Sequence, residues 1–112
     1  MAVRRKEGEI MEGEWEFPGG KIQDGEDPEQ TVIREIKEEL EICIIPEEPF
    51  RPFDYEYPRF YIRLYPYRCR WISGTVRMHV HDECRWLDKN EMGKVNWSEA
   101  DQALINEIKD LI

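Results

Sequence analysis

The sequence predicts an α+β fold, α/β in the broad sense, in which a mixed β-sheet lies between helices. Two segments, near residues 28–40 and 98–112, have the apolar spacing of amphipathic helices. Between them, residues 60–80 alternate apolar and polar side chains as strands do. The order is a strand, a helix, several strands and a last helix, which is typical of a sheet covered by helices. With 112 residues, the chain is expected to form one domain, residues 1–112.

The first half of the chain predicts a short strand, a turn and a helix. Residues 15–17 (WEF) have strand character, and the Pro-Gly-Gly sequence that follows favours a turn. Asp27 is placed to cap the helix, Pro28 suits its first position, and Gln30 completes a capping box. The apolar side chains of this helix are predicted to form one buried stripe of Val32, Ile33, Ile36 and Leu40.

Most of the second half predicts strands, followed by a helix. Apolar residues alternate through residues 60–71, a Ser-Gly turn follows, and residues 75–80 alternate again. Residues 84–87 are a further short strand candidate. The last helix is predicted to begin near Ser98, with Asp101 completing a second capping box.

Composition narrows the class of partner. The formal net charge of −9 argues against binding of nucleic acid polymers through their phosphates. Three cysteines, without C-x-x-C spacing, indicate neither a disulfide framework nor a zinc site, so we expect reduced thiols in a cytoplasmic protein. No apolar run approaches the length of a membrane span, and the N-terminus lacks the apolar region of a signal peptide. We therefore expect no membrane partner.

Three glutamates at helical spacing predict a metal site. Glu35, Glu38 and Glu39 stand at positions i, i+3 and i+4, so a helix places their carboxylates on one face. Carboxylates packed together repel each other, and nothing in folding requires them. A divalent cation relieves that repulsion, and clustered carboxylate oxygens are what Mg²⁺ or Mn²⁺ prefers. A face of solvated glutamates is the plain alternative.

The surrounding residues are similar to the Nudix box, G-x5-E-x7-R-E-U-x-E-E-x-G-U, in which U is a bulky aliphatic residue. The segment is GKIQDGEDPEQTVIREIKEELEI, residues 20–42, and every fixed position matches except one. Glu41 stands where the motif has its last glycine. It predicts either a strained left-handed end of the helix or a helix that continues by another turn. Within the box, we expect Glu26 to pair with Arg34 and orient the helix.

Segments outside the box resemble the MutT branch of the Nudix family. These are residues 15–21, 55–67 and 96–101, and the last of them looks most like the pyrimidine nucleotide enzymes. The branch includes 8-oxo-dGTP diphosphatases and pyrimidine nucleoside triphosphate pyrophosphohydrolases. The resemblance implies a Mg²⁺-dependent hydrolase, with Mn²⁺ as the alternative ion. Its substrate would be an oxidised purine or cytosine nucleoside triphosphate, such as 8-oxo-dGTP or CTP, cleaved to the monophosphate and pyrophosphate.

The resemblance also implies roles for the acidic residues. Glu38 and Glu39 would ligate the metal together with the carbonyl oxygen of Gly19. Glu35 would be either a further ligand or the base that accepts a proton from water.

Other residues are expected to bind the substrate. Arg5 suits the phosphates, whereas Arg4 points to the opposite side of its strand. The base pocket is expected to include Phe60 or Ile62 together with Asp101, whose carboxyl group suits cytosine or an oxidised purine. The plain alternatives are that Arg5 is a surface charge and that Asp101 only caps a helix.

Two features depart from the family. Its members usually have a further strand before the arginine pair, which here is Arg4-Arg5. The strand is then absent, supplied by a partner, or present in a longer protein, and an unpaired sheet edge makes a homodimer a hypothesis. In addition, Val80 stands where many relatives have a metal-binding glutamate. The side chains close enough to replace it are His79, His81, Asp82 and Glu83, of which the last two suit a hard cation best.

Two rival functions remain open at this point. One is a Nudix hydrolase that cleaves another nucleoside diphosphate derivative. The other is a non-catalytic Nudix module that binds nucleotide or protein, which Val80, Glu41 and the short segment before the arginine pair favour. The complete set of three glutamates opposes the module, because a binding domain has little need of three carboxylates that repel each other.

Overall fold

The computed structural model describes residues 1–112 and has the predicted α+β composition. Neither helix has the length and apolar character that a membrane-spanning helix needs. In chain order the elements are β1 (Ala2–Arg5), β2 (Trp15–Glu16), α1 (Pro28–Leu40), β3 (Cys43–Pro49), β4 (Phe53–Glu56), β5 (Tyr61–Leu64), β6 (Tyr67–Ser73), β7 (His81–Arg85), a 3-10 helix (Met92–Lys94) and α2 (Glu99–Ile108).

The chain divides into two compact units, and the first contains residues 1–18 and 78–112. Its antiparallel sheet has the strand order β2-β1-β7. Trp15 on β2 forms a parallel bridge with Trp97, whose indole N–H donates to the Met92 carbonyl oxygen at 2.7 Å. The core of this unit is built around these side chains and contains Ala2, Trp15, Met92, Trp97 and Ile105.

The second unit, residues 19–77, contains α1 and two antiparallel strand pairs, β3-β6 and β4-β5. Ile36 and Leu40 of α1 are buried, and so are Ile42, just before β3, and Ile44 within it. This burial confirms part of the stripe predicted for the helix. The prediction is wrong for Ile33, whose side chain is 42% exposed.

The start of α1 follows the sequence prediction closely. The Asp27 carboxylate accepts the Gln30 backbone N–H at 2.9 Å, and the Gln30 side chain accepts the Asp27 N–H at 3.0 Å. Pro28 is the first helical residue, where its missing N–H has no partner to lose. The predicted capping box is therefore confirmed.

Helix α1 ends at Leu40 because Glu41 adopts a left-handed backbone conformation, with φ 58° and ψ 30°. Its N–H donates to the Lys37 carbonyl oxygen at 3.0 Å, which completes the last turn. Of the two alternatives open from the sequence, a strained left-handed end is the correct one, and the helix does not continue.

Glu41→Gly is expected to stabilise the protein. A residue with a Cβ adopts the left-handed conformation at a cost of about 1 kcal/mol, and glycine avoids that cost. We expect the free energy of unfolding to rise by about that amount, which corresponds to a Tm increase of about 4 °C for a domain of this size. Chemical and thermal unfolding measure the change. Glu41→Ala is the matched control, since it removes the same side chain and keeps the Cβ; an equal gain in alanine would refute strain as the cause.

Two local predictions in the second half are wrong. Residues 75–80 form no strand, because the chain after β6 packs on the end of α1, where the Arg77 N–H donates to the Leu40 carbonyl oxygen at 2.9 Å. At α2, the Ser98 side chain makes no capping hydrogen bond. The Asp101 carboxylate accepts a backbone N–H from Phe17 on another segment.

Candidate active site

Helix α1 presents a row of acidic side chains that one arginine holds together. The Arg34 guanidinium donates to Glu35 Oε1 at 2.7 Å and to Glu38 Oε2 at 3.1 Å. It also donates to the Lys21 carbonyl oxygen at 3.0 Å, which ties the helix to the segment before it. Arg34 therefore relieves part of the repulsion between the carboxylates, a role that the sequence alone assigns to a cation.

The predicted pair of Glu26 and Arg34 is confirmed. Arg34 donates from Nε to Glu26 Oε2 at 2.6 Å and from Nη2 to Oε1 at 3.0 Å. Glu26 Oε1 also accepts the Gln23 N–H at 3.0 Å and the hydroxyl of buried Thr31 at 2.7 Å. The Arg34 hydrogen bonds, helped by those from Gln23 and Thr31, lower the pKa of Glu26 to about 2 because they favour the ionised form. Glu26 is thus a fixed, ionised anchor for Arg34.

The turn before the helix lies directly against Glu35. A Cβ at Gly20 would stand 2.3 Å from the Glu35 carboxyl carbon, so only glycine leaves room for that carboxylate. The neighbouring Gly19 has φ 151°, which also favours glycine. The Pro-Gly-Gly turn therefore leaves space for the Glu35 carboxylate next to Gly20. The adjacent residue, Gly19, is the one whose carbonyl oxygen is a predicted metal ligand.

The predicted donor set fits a hard divalent cation. Glu35 and Glu38 each give one oxygen to Arg34 and keep the other oxygen for a further ligand. The Glu38 side chain is 59% exposed, so a cation can reach it. Together with Glu39 and the Gly19 carbonyl, every donor is an oxygen atom, and the face remains net negative after the charge of Arg34 is counted.

In the first unit, the two arginines of β1 lie on opposite faces of the sheet. Arg4 donates to Asp82 Oδ1 at 2.7 Å and lies 3.3 Å from Glu83 Oε2. Arg5 donates from Nε to Glu16 Oε1 at 3.1 Å, and its side chain is partly buried. Arg4 thus interacts with two carboxylates, whereas Arg5 interacts with one carboxylate and does so through Nε alone.

Asp101 lies in the first turn of α2 and is partly buried. Its Oδ2 accepts the Phe17 backbone N–H at 3.0 Å. Loss of solvation raises the pKa of Asp101 to about 6, and the nearby negative charge of Glu16 adds to the increase, although the Phe17 N–H opposes it. The carboxyl group therefore changes protonation close to neutral pH, and its neutral form can both donate and accept a hydrogen bond.

Of the two apolar residues proposed for the base pocket, Phe60 lies in the turn that joins β4 to β5, and Ile62 lies in β5. The Phe60 ring stacks on Tyr57 with centroids 4.7 Å apart, and Phe60 is 55% exposed. Ile62 pairs across the strands with Tyr55 and is partly buried. One face of the Phe60 ring is therefore covered by Tyr57, and the rest of the side chain is open to solvent.

Comparison with known proteins decides the family. The family model described as NUDIX domain matches residues 1–111. The chain belongs to the Nudix family. This Nudix protein is 44% identical over 109 residues to the 8-oxo-dGTP diphosphatase of Escherichia coli (strain K12), covering 97% of this chain and 84% of that protein. It is 30% identical over 93 residues to the CTP pyrophosphohydrolase of the same strain, covering 83% and 69% of the two chains.

Solved structures have the same fold as this Nudix protein. The crystal structure of the MutT protein from Methanosarcina mazei Go1 aligns with a TM-score of 0.83 at 20% identity, over 98% of this chain and 82% of that chain. The solution structure of the E. coli ORF135 protein aligns with a TM-score of 0.80 at 26% identity, over 98% and 79%. The resemblance to MutT-like Nudix hydrolases, found from the sequence, is confirmed, and so is the Nudix fold.

Sequence reasoning missed two residues of the Nudix protein's site. Thr31 is a polar residue among the apolar positions of α1, and that break in the stripe is a signal that a buried hydroxyl has a partner. Glu16 contacts both Arg5 and His81. The sequence does not indicate these contacts, because a glutamate next to Trp15 in a strand is predicted to be exposed to solvent.

Of the side chains that the sequence offers in place of Val80, three already have a structural role. Asp82 and Glu83 bind Arg4. His81 has a completely buried side chain, and its Nε2 lies 3.0 Å from Glu16 Oε2.

Proposed function

We propose that this Nudix protein is a Mg²⁺-dependent pyrophosphohydrolase that cleaves a nucleoside triphosphate to the monophosphate and pyrophosphate. The substrate would carry an oxidised purine, as in 8-oxo-dGTP, or cytosine, as in CTP. The observation that carries the proposal is the acidic face of α1, anchored by Arg34 and seated on the Pro-Gly-Gly turn. The 8-oxo-dGTP diphosphatase and CTP pyrophosphohydrolase names of its relatives support the choice of substrate.

In this proposal, Glu38, Glu39 and the Gly19 carbonyl hold the metal, and Glu35 is a further ligand or the base. When bound, Mg²⁺ neutralises charge on the phosphate oxygens and lowers the pKa of a water molecule that it holds; Mn²⁺ is the alternative ion. The protein residues position these groups: Arg34 fixes Glu35 and Glu38, and the turn fixes Glu35 from the other side.

Hydrolysis breaks the bridge between the α- and β-phosphates. The oxygen of water forms a bond to one of the two phosphorus atoms, and the bridging oxygen leaves with the other phosphate. With Glu35 as base, its carboxylate accepts the proton of the attacking water. Arg5 binds the phosphates through its terminal NH₂ groups, while Asp101 and Phe60 contact the base.

We infer a cytoplasmic protein that acts on free nucleotides and binds neither nucleic acid polymers nor membranes. A homodimer is the hypothesis for its assembly, and sedimentation velocity measures it directly.

Pyrophosphate release from a panel of dCTP, CTP, dGTP and 8-oxo-dGTP, with Mg²⁺ and with chelator, tests the function. Turnover of one or more of these nucleotides that chelator abolishes is the expected result, and the best substrate identifies the base. Absence of turnover by folded protein that still binds nucleotide would reject the hydrolase in favour of the binding module.

Gly20→Ala is expected to lower turnover while leaving the fold intact. The atoms that the new Cβ meets belong to the end of the Glu35 side chain, so the carboxylate moves away and the backbone stays in place. We expect kcat to fall about 10- to 100-fold, since small misplacement of a reacting group has effects of this size. Steady-state kinetics and thermal unfolding measure the two quantities.

Gly93→Ala is the matched control, because a Cβ there meets no atom within 4 Å. It should retain wild-type kcat. A Gly20→Ala variant that turns over as fast as the wild type would show that the position of Glu35 is unimportant.

A further inference from the structure

Arg5, Glu16 and His81 form a connected group on one face of the sheet β2-β1-β7. Val3 pairs with Glu16 and Arg5 pairs with His81 across the strands, which places all four side chains on the same face. Glu16 Oε1 accepts from Arg5 Nε at 3.1 Å, and Glu16 Oε2 lies 3.0 Å from His81 Nε2. A single carboxylate thus joins the arginine to the histidine.

An irregularity in the β1-β7 pairing puts His81 in this group. Arg4 pairs with Glu83, whereas Arg5 pairs with His81, so Asp82 is an extra residue on β7. A bulge of this kind redirects the side chains that follow it. With regular pairing, Asp82 would stand opposite Arg5. The bulge instead places the His81 imidazole beside Glu16, and Asp82 binds Arg4.

The imidazole of His81 depends on Glu16 for its only side-chain hydrogen bond. The imidazole is completely buried, and its Nδ1 is buried without a hydrogen-bond partner. Because the Glu16 carboxylate accepts from Arg5 and His81 alike, His81 donates from Nε2. A buried ring held by one strong hydrogen bond is a rigid support, and its effect falls on the carboxylate that it holds.

Arg5 is the residue through which this support would act. Its Nε is bound to Glu16, and its terminal NH₂ groups make no hydrogen bond within the protein. A guanidinium held at Nε keeps the two NH₂ groups in a fixed plane, which suits two oxygens of a phosphate. The fixed orientation lowers the entropy that is lost when phosphate binds.

We infer that His81 is a positioning residue for substrate phosphates, which holds Glu16 and through it the Arg5 guanidinium. The inference rests on the proposed function, in which Arg5 contacts the triphosphate. Its effect is on binding, so it appears in KM and in the dissociation constant, with little change in kcat.

A pair of histidine variants tests the inference. In His81→Gln the amide NH₂ reaches about as far as Nε2 and can still donate to Glu16, whereas in His81→Asn it is too short. We expect His81→Asn to raise KM about 10-fold with kcat within about twofold, and His81→Gln to stay within about threefold of wild type. Both variants remove the ring, so their difference reports the hydrogen bond and not the packing. Glu16→Gln should reproduce the His81→Asn result if that variant fails to fold.

A double-mutant cycle with Arg5→Met separates a positioning role from a general loss of stability. If His81 acts through Arg5, His81→Asn changes KM by less than about twofold in the Arg5→Met background. Full additivity of the two changes would overturn the inference. So would equal effects of Gln and Asn, or a loss confined to kcat.

The same cycle measured as dissociation constants keeps the inference separate from the proposed function. The probes are a methylene-linked triphosphate analogue that is not hydrolysed and inorganic tripolyphosphate. A wild type without turnover rejects the hydrolase, while coupling between Arg5 and His81 in the affinity for either probe still supports the positioning role. If the wild type binds neither probe, the inference is overturned as well.

Discussion

Glu39→Gln is expected to reduce pyrophosphate release by about 100-fold or more without destabilising the fold. Glu39 lies on the acidic face of α1 and is partly buried. A neutral amide is a weaker ligand for Mg²⁺ than a carboxylate, so the variant should bind the ion poorly and respond to higher Mg²⁺ concentrations. Removal of one negative charge from a repelling set should leave the Tm unchanged or slightly higher. The loss of activity therefore cannot come from unfolding.

The measurements are kcat against Mg²⁺ concentration and direct Mn²⁺ binding by electron paramagnetic resonance. Glu29→Gln is the matched control: Glu29 is exposed in the first turn of the same helix, and the change in charge is identical. It should bind Mn²⁺ and turn over as the wild type does. Equal metal affinity in wild type and Glu39→Gln would remove Glu39 from the ligand set, whatever happened to turnover.

The sequence predicted α1 and its acidic face because the signals there are local. Asp27, Pro28 and Gln30 act within one turn of the helix, so their effect does not depend on the rest of the fold. Glu26 and Arg34 meet because Glu26 lies just before the N-cap of the helix, where the chain turns back toward the side chain of Arg34. Local hydrogen bonds and helical spacing are what a sequence shows most directly.

The errors arise where a distant segment competes for a group. Asp101 has the spacing of a capping residue, but its carboxylate accepts the Phe17 N–H, which belongs to a segment 84 residues away in the chain. Residues 75–80 alternate like a strand, yet Arg77 gives its N–H to the end of α1. Each local prediction is reasonable by itself, and tertiary contacts override it.

The same limit explains which part of the candidate site the sequence missed. The Nudix box lies within residues 20–42, so one motif identifies it. The group of Arg5, Glu16 and His81 comes from three strands, and its geometry depends on a bulge in the β1-β7 register. A bulge at Asp82 leaves no mark in the sequence, since it requires neither glycine nor proline.

Asp101→Asn is expected to remove a large pH dependence of stability. The pKa of Asp101 is raised from an ordinary value of 3.8 to about 6 in the folded state. The folded protein therefore holds this proton more tightly than the unfolded chain does, so the free energy of unfolding falls as pH rises from about 4 to about 6. Ionised Asp101 costs about 3 kcal/mol above that range, whereas neutral asparagine carries no such cost and can still accept the Phe17 N–H. The variant should be more stable than wild type at pH 8 and close to it at pH 4.

Thermal unfolding between pH 4 and pH 8 measures the stability of the wild type and of Asp101→Asn. Subtracting one from the other removes the contribution of the other acidic groups, which titrate in both proteins. Asp110→Asn, at an exposed position after α2, should show no such crossover. In the proposed function Asp101 also contacts the base of the substrate, where a neutral carboxyl group would both donate to and accept from cytosine or an oxidised purine. KM for the best triphosphate should then change near pH 6 in wild type and stay flat in Asp101→Asn. A flat wild-type profile together with the stability crossover would leave Asp101 as a buried acid of the fold and remove it from the base pocket.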